Sequence, residues 1–289
     1  MIRVLRNLLF SLVLAGAVLG GLEGALRLAG WPDPGLYDGD VASAWTLRRD
    51  LPARDVPFRE RATTFSVRTN AAGYRGALPG PGAVACLGDS TTFGWGVEED
   101  EAWPARLAAA LDRPVLNAGV PGYSTAQGLA TLDTVLALKP RVVVLAYLVR
   151  DAERAIASDA VRMAAAPPRA PDLALLRAVR ALRGDTGGRT GGAVGEAWRV
   201  SPAEYVANLR ALAARARAAG AQPWLLVFPM RTPPTEHLAA LEGLAAELPV
   251  VTPTVPDDAF FAEDPIHLTP AGNALVADTL AAALVAEAP

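Results

Sequence analysis

Ala83-Val84-Ala85-Cys86-Leu87-Gly88-Asp89-Ser90 is an apolar run that ends abruptly in a small, polar turn, and a helix-like segment follows it. That pattern predicts a buried strand feeding a helix. A serine just past the carboxyl end of such a strand, at the amino end of the next helix, exposes its hydroxyl while nearby backbone N–H groups point at any developing negative charge. Gly-Asp-Ser alone describes a helix N-cap more often than a nucleophile. The meaning of Ser90 therefore depends on the rest of the chain.

Working outward, apolar runs and helical spacing alternate. Helical spacing over Ala102 to Leu111 is followed by a short strand at Pro114 to Asn117 and a helix over Ser124 to Leu138, where Ser124 and Gln127 form a capping box. Arg141 to Tyr147 is β-branched and continuous, as a parallel strand buried on both faces must be. A short amphipathic helix over Asp172 to Leu182 lies between Pro-rich and Gly-rich flanks, which mark an insertion at about 152–198. Ser201-Pro202-Ala203-Glu204 opens a helix to Ala219, and then come a strand at Gln222 to Met230, a helix at Thr235 to Leu248 and a strand at Pro249 to Thr252. Thr269-Pro270 opens the terminal helix. Strand-helix alternation predicts a parallel sheet covered by helices on both faces, with sites beyond the carboxyl ends of the strands. Ser90, Gly122, Arg150 and the loop before Thr269 all fall at such ends.

Residues 31–81 are rich in Pro, Gly, Asp and Arg and read as an irregular lead-in to the domain, with an edge strand near Thr64 to Arg68. The turn-rich Asn70 to Gly76 within it discloses no purpose.

Composition bounds the rest. The chain has 289 residues, 52% hydrophobic and 20% charged, enough for one large domain or for one domain with additions. A formal net charge of −3 offers no basic excess for phosphate backbones, so nucleic acid is not an expected partner. Cys86 is the one cysteine, which excludes an internal disulfide and a Cys-rich metal site, and its apolar surroundings predict a packing role.

At the N-terminus Arg3 and Arg6 precede Leu8 to Leu22, which carries no charge, before Glu23 and Arg27 break the run. This is a targeting or anchoring segment over residues 1–30. Either it spans the membrane uncleaved, leaving the body of the protein outside the cytoplasm, or it is a cleavable signal with Ala15-Gly16-Ala17 as the processing site.

Hydrolysis by serine needs a base within reach and a group that orients the base. His267 lies in Asp264-Pro265-Ile266-His267, where the Asp264 carboxylate can accept from one imidazole nitrogen while the other faces Ser90. The other histidine, His237, is expected at the surface of a helix start. Asn117 to Ser124 supplies a glycine turn in which the Gly122 N–H can point inward, although plain strand-to-helix turns also use glycine.

Together these pieces resemble the SGNH (GDSL-type) hydrolases from about Asn70 to the C-terminus, and the N-terminal segment resembles that of a membrane-anchored bacterial branch. Gly88-Asp89-Ser90 with Thr91-Thr92-Phe93-Gly94 is similar to the family's nucleophile motif, Asn117 to Gly122 to its second, and Asp264-x-x-His267 to its last. The resemblance implies a flavodoxin-like α/β/α sandwich with a mostly five-stranded parallel sheet over 82–289. It implies Ser90 as nucleophile, His267 as base, Asp264 as orienter, and the Ser90 and Gly122 N–H groups as oxyanion donors. No metal or organic cofactor is implied. One motif departs: where the family has Gly-x-Asn-Asp, with the asparagine as third oxyanion donor, this chain has Leu148-Val149-Arg150-Asp151. A guanidinium can donate in the amide's place, or it can turn away and pair with Asp151 or Glu153.

The expected function is an extracytoplasmic serine esterase acting on acyl esters, O-acetyl included, of envelope glycans or lipids. The same triad serves an acyltransferase. A catalytically weak glycan-binding or assembly module is the reading that the Arg150 departure opens.

Overall fold

The computed structural model describes residues 2–31, 33, 35–40, 42–58, 63–166, 172–183 and 195–287. Two compact units form, one of Met1–Tyr37 with Pro168–Gly192 and one of Asp38–Pro167 with Ala193–Pro289. In chain order, helix α1 (Ile2–Leu28) is followed by strands β1 (Tyr37–Asp40), β2 (Ala44–Leu47), β3 (Arg54–Phe58), β4 (Thr63–Val67) and β5 (Val84–Gly88). Next come α2 (Ser90–Phe93), α3 (Trp103–Leu111), β6 (Val115–Gly119), α4 (Thr125–Leu136) and β7 (Val142–Ala146). The stretch that follows holds β8 (Arg154–Ala155), α5 (Asp159–Ala164), α6 (Ala174–Leu182) and β9 (Ala197–Trp198). The chain closes with α7 (Pro202–Ala218), β10 (Gln222–Leu226), α8 (Thr235–Ala240), β11 (Val250–Val251) and α9 (Pro270–Ala286).

In the larger unit β5, β6, β7, β10 and β11 form one parallel sheet in the order β11-β10-β7-β5-β6. Taken in sequence order that is the flavodoxin-like 2-1-3-4-5 arrangement, whose direction reverses between β5 and β7. Ligand crevices open at the carboxyl ends of such strands, and Ser90 follows β5 there. Because side chains alternate across a strand, Val84, Cys86, Val144, Ala146, Trp224 and Leu226 share one face, where they pack with Trp103, Leu107, Val276 and Leu280 of α3 and α9. Helices α4 and α7 pack on each other and meet β5 and β10. Helix starts are fixed by their caps: Ser124 with Gln127, Ser201 with Glu204 behind Pro202, and Thr269 ahead of Pro270.

Three local expectations change. The strand at Thr63–Val67 does not edge the central sheet but pairs antiparallel with β3 in a sheet of its own. The apolar run from Gln222 leaves the ladder at Leu226, because β11 offers only two paired residues beside it. The helix expected over Thr235 to Leu248 ends at Ala240, and a 3₁₀ turn at Leu244–Ala246 follows Gly243, a residue poorly suited to a helix interior. The glycine-rich flank of the insertion, at 184–194, lies outside the described residues.

In the smaller unit α1 packs against α6. No residue of α1 is buried, and it is one helix long and apolar enough to cross a membrane.

Candidate active site

Ser90 is the first residue of α2, and its cap is the residue before it. Asp89 Oδ1 accepts from the Thr91 N–H and the Thr91 hydroxyl, each at 2.8 Å. Capping therefore falls to Asp89, and the Ser90 hydroxyl serves another partner: Oγ lies 2.9 Å from His267 Nε2. The backbone around it is crowded, since a Cβ on Gly119 would come within 2.3 Å of the Phe93 nitrogen. Asn117 ties the same two segments, donating from Nδ2 to the Phe93 carbonyl and accepting the Gly119 N–H on Oδ1.

His267 stands on the loop between β11 and α9. Asp264 Oδ1 accepts the N–H groups of Ile266 and His267, each at 2.9 Å, and Oδ2 lies 2.6 Å from His267 Nδ1. Burial pushes the Asp264 carboxyl up, but the hydrogen bonds and charge of His267 and the two backbone donors outweigh it and hold the group below its ordinary value. An ionised carboxylate only accepts, so Nδ1 carries the proton and Nε2 is free to accept from Ser90. All three side chains are buried. The loop is strapped by Arg231, whose Nη1 donates to the carbonyls of Phe261, Ala262 and Asp264 at 3.0, 2.9 and 3.2 Å.

Gly122 occupies the turn after β6. Tyr123 N donates to the Val120 carbonyl across the turn, and Pro121 with Gly122 at φ 86° is the type II pairing in which the second central residue needs the left-handed region. The two peptides beside Gly122 are both held. Trp45 Nε1 donates to the Pro121 carbonyl at 3.3 Å, and Arg199 Nη2 donates to the Gly122 carbonyl at 2.7 Å. Since a trans peptide points its N–H opposite its C=O, the Trp45 contact turns the Gly122 N–H away from Trp45. Arg199 is itself buried and bound to the fully buried Asp159 and to Glu153. Asp159 also accepts the Ser124 hydroxyl at 2.7 Å.

Arg150, after β7, directs Nη1 to Glu153 at 3.2 Å, a partly exposed pair. The neighbouring Asp151 is fully buried and accepts from the Thr125 N–H at 3.0 Å and from the Thr125 hydroxyl. Burial outweighs those bonds and pushes its carboxyl up to about 7.

Three features escape a reading of the sequence. His237 is not at the surface: it is buried against Trp198 and Tyr205, with Nε2 2.9 Å from the Val200 carbonyl, and burial lowers its pKa. Arg199 and Trp45 carry no motif. Arg75, in the unexplained Asn70 to Gly76 turn, is buried and donates to the carbonyls of Ser66, Phe93, Gly94 and Val97. Among the described residues no group of three or more His, Cys, Asp and Glu could hold a metal ion.

Residues 86–275 match the sequence model of the GDSL-like Lipase/Acylhydrolase family. No curated protein matches the sequence. Among solved structures, the chain is similar to a GDSL-like lipase from Bacteroides thetaiotaomicron VPI-5482, at 16% identity and a TM-score of 0.47, over 73% of this chain and 93% of that one. It is similar to LAE5, an alpha/beta hydrolase enzyme from the metagenome of Lake Arreo, Spain, at 18% identity and a TM-score of 0.48, over 73% and 99% of the two chains. A third is a catalytic mutant of an acetylxylan esterase from Geobacillus stearothermophilus, at 15% identity and a TM-score of 0.46, over 70% and 94%.

Proposed function

The chain belongs to the GDSL-like Lipase/Acylhydrolase family, and from that premise we propose a membrane-anchored serine esterase that works outside the cytoplasm on acyl esters, O-acetyl included, of envelope glycans or lipids. The observation that carries the chemistry is the chain of contacts from Ser90 Oγ to His267 Nε2 at 2.9 Å and from His267 Nδ1 to Asp264 Oδ2 at 2.6 Å. Ser90 Oγ attacks the acyl carbon as its proton passes to His267 Nε2, and Asp264 stabilises the imidazolium that results. The oxyanion forms within reach of the Ser90 N–H, one of the orphan donors of a helix start, and of the Gly122 N–H. Collapse breaks the ester C–O bond, and His267 returns the proton to the leaving alcohol. Water, deprotonated by His267, then releases the acyl group from Ser90. A sugar hydroxyl in place of that water makes the same steps a transfer.

The address follows from the N-terminus, where Arg3 and Arg6 precede the apolar span and by the positive-inside rule keep that end in the cytoplasm. Residues 1–30 are the anchor, 31–81 the lead-in, and 82–289 the hydrolase domain, with the insertion at 152–198.

A fluorophosphonate probe tests the nucleophile. The parent protein should label and Ser90→Ala should not; a folded parent that resists labelling defeats the esterase reading. Turnover of an acetylated oligosaccharide, with and without an acceptor sugar, separates hydrolysis from transfer. An alkaline phosphatase fusion at the C-terminus, active only outside the cytoplasm, tests the orientation.

A further inference from the structure

We propose that α6 lies in the membrane interface beside the end of α1, with its apolar face in the bilayer and its arginines among anionic headgroups. The inference rests on reading α1 as a retained anchor. It begins from Glu23. The uncharged run Leu8 to Leu22 spans fifteen residues, or ~23 Å of helix against a hydrocarbon core of ~30 Å. The Glu23 carboxylate is therefore drawn to the edge of the hydrocarbon, where an uncompensated charge is costly.

Glu23 is compensated by α6. Its Oε1 accepts from Arg27 Nε at 2.6 Å and from the Ala174 N–H at 2.9 Å, and its Oε2 accepts the Leu175 N–H at 2.9 Å. Arg27 Nη2 donates in turn to the Asp172 carbonyl at 2.5 Å. The carboxylate thus caps a helix that has no side-chain cap of its own and meets the positive end of its dipole. Whatever depth Glu23 takes in the bilayer, the first turn of α6 shares it.

At about 100° per residue, α6 divides into three faces. Its buried residues are the small Ala174 and Ala178, as expected of a helix drawn close to α1. A second face leaves Leu176, Val179 and Leu182 exposed, the last at 79%. The third carries Arg180 and Arg177, the latter paired with Asp172, and Arg183 follows as the C-cap, just past the helix. Apolar and basic faces side by side on one short helix are the pattern of an in-plane interfacial segment, and a helix tied to the edge of the hydrocarbon has an anionic headgroup layer within reach of its arginines. The structure assigns that layer as the partner of the exposed face.

The test uses the full chain in vesicles of phosphatidylcholine and phosphatidylglycerol. Cys86 is fully buried, so an environment-sensitive dye placed at Leu182→Cys or, in α1, at Leu14→Cys labels selectively. Both dyes should emit to the blue and lose most of their emission to a doxyl lipid, with little loss to iodide. Adding Arg180→Glu and Arg183→Glu should shift the Leu182→Cys dye toward the iodide-quenched state and leave the Leu14→Cys dye unchanged. If the α1 dye is lipid-quenched while the α6 dye responds to iodide alone, the interfacial placement is wrong and the anchor stands. If neither is lipid-quenched, the anchor reading fails and the inference falls with it. An α6 dye shielded from both quenchers places protein on that face, a second copy included, and overturns the proposal.

Discussion

Arg199 Nη2 donates to the carbonyl of Gly122 at 2.7 Å while the same guanidinium binds the fully buried Asp159. With Trp45 on the Pro121 carbonyl, this fixes both peptides around the proposed oxyanion donor without touching the acyl group. Arg199 is thus a positioning residue. Arg199→Lys keeps a charge against Asp159 but has no fork with which to reach the Gly122 carbonyl as well. Because an ~1 Å misplacement in an active site costs up to about 100-fold, kcat on p-nitrophenyl acetate should fall about 10- to 100-fold with KM little changed. Arg199→Met strands Asp159 and should instead cost about 3–5 kcal/mol of stability, read by chemical denaturation. An unchanged kcat in folded Arg199→Lys would remove the positioning role.

Arg150 faces Glu153, and on the proposed mechanism two backbone donors carry the oxyanion. Arg150→Ala should then leave kcat nearly unchanged and shift stability by less than about 1 kcal/mol, the range of a partly exposed pair. Arg150→Asn introduces the amide that resembling enzymes carry, and one such donor is worth on the order of 100- to 1000-fold. A rise in p-nitrophenyl acetate turnover in the asparagine variant is the expected outcome. A comparable loss in the alanine variant would show that the guanidinium is the third donor.

What could be read in advance follows from how local each signal is. The β7 run, the capping boxes at Ser124 and Ser201 and the Thr269-Pro270 start are written within a few consecutive residues, and the elements they predict are present. Asp264 and His267 are three apart, so their pairing needs only one turn of loop, whereas the contact with Ser90 closes 177 residues and required the strand-end argument. Arg75, Arg199 and Arg231 left no trace because they bind backbone carbonyls, which every residue has, and, for the last two, carboxylates 26 to 46 residues away in the chain. His237 misled because its pocket is built from Trp198, Val200 and Tyr205, residues it meets only after folding.

Arg75 holds the Ser66, Phe93, Gly94 and Val97 carbonyls at 2.6 to 2.9 Å, so it joins β4 to the end of the helix that Ser90 begins. Burial pulls its guanidinium down to about 10 against the nearby Glu99, Glu98, Asp100 and Glu101, so it remains charged at neutral pH. Arg75→Met fills the space; the Phe93 carbonyl keeps Asn117 Nδ2 and the Gly94 carbonyl keeps the Val97 N–H, but the Ser66 and Val97 carbonyls lose the Arg75 donor, and each buried acceptor left unpaired costs about 1–3 kcal/mol. A loss of at least about 2 kcal/mol in urea denaturation is expected. A smaller loss together with intact esterase turnover would show that the carbonyls find other donors.

Asp151 gives the clearest pH signature. Its carboxyl is pushed up from 3.8 to about 7 in the folded protein, so between those values the folded chain holds a proton that the unfolded chain has released. Stability contributed at this site therefore declines as pH rises from about 4 to about 7, by up to on the order of 4 kcal/mol. Asp151→Asn cannot titrate and escapes that decline. Whatever constant offset the substitution brings at Thr125, the Tm of the variant minus that of the parent should increase between pH 4.5 and pH 8, because every other titrating group is common to both chains. A difference that stays flat across the window would mean that Asp151 is ionised throughout, held by its Thr125 bonds and the charge of Arg199 despite full burial.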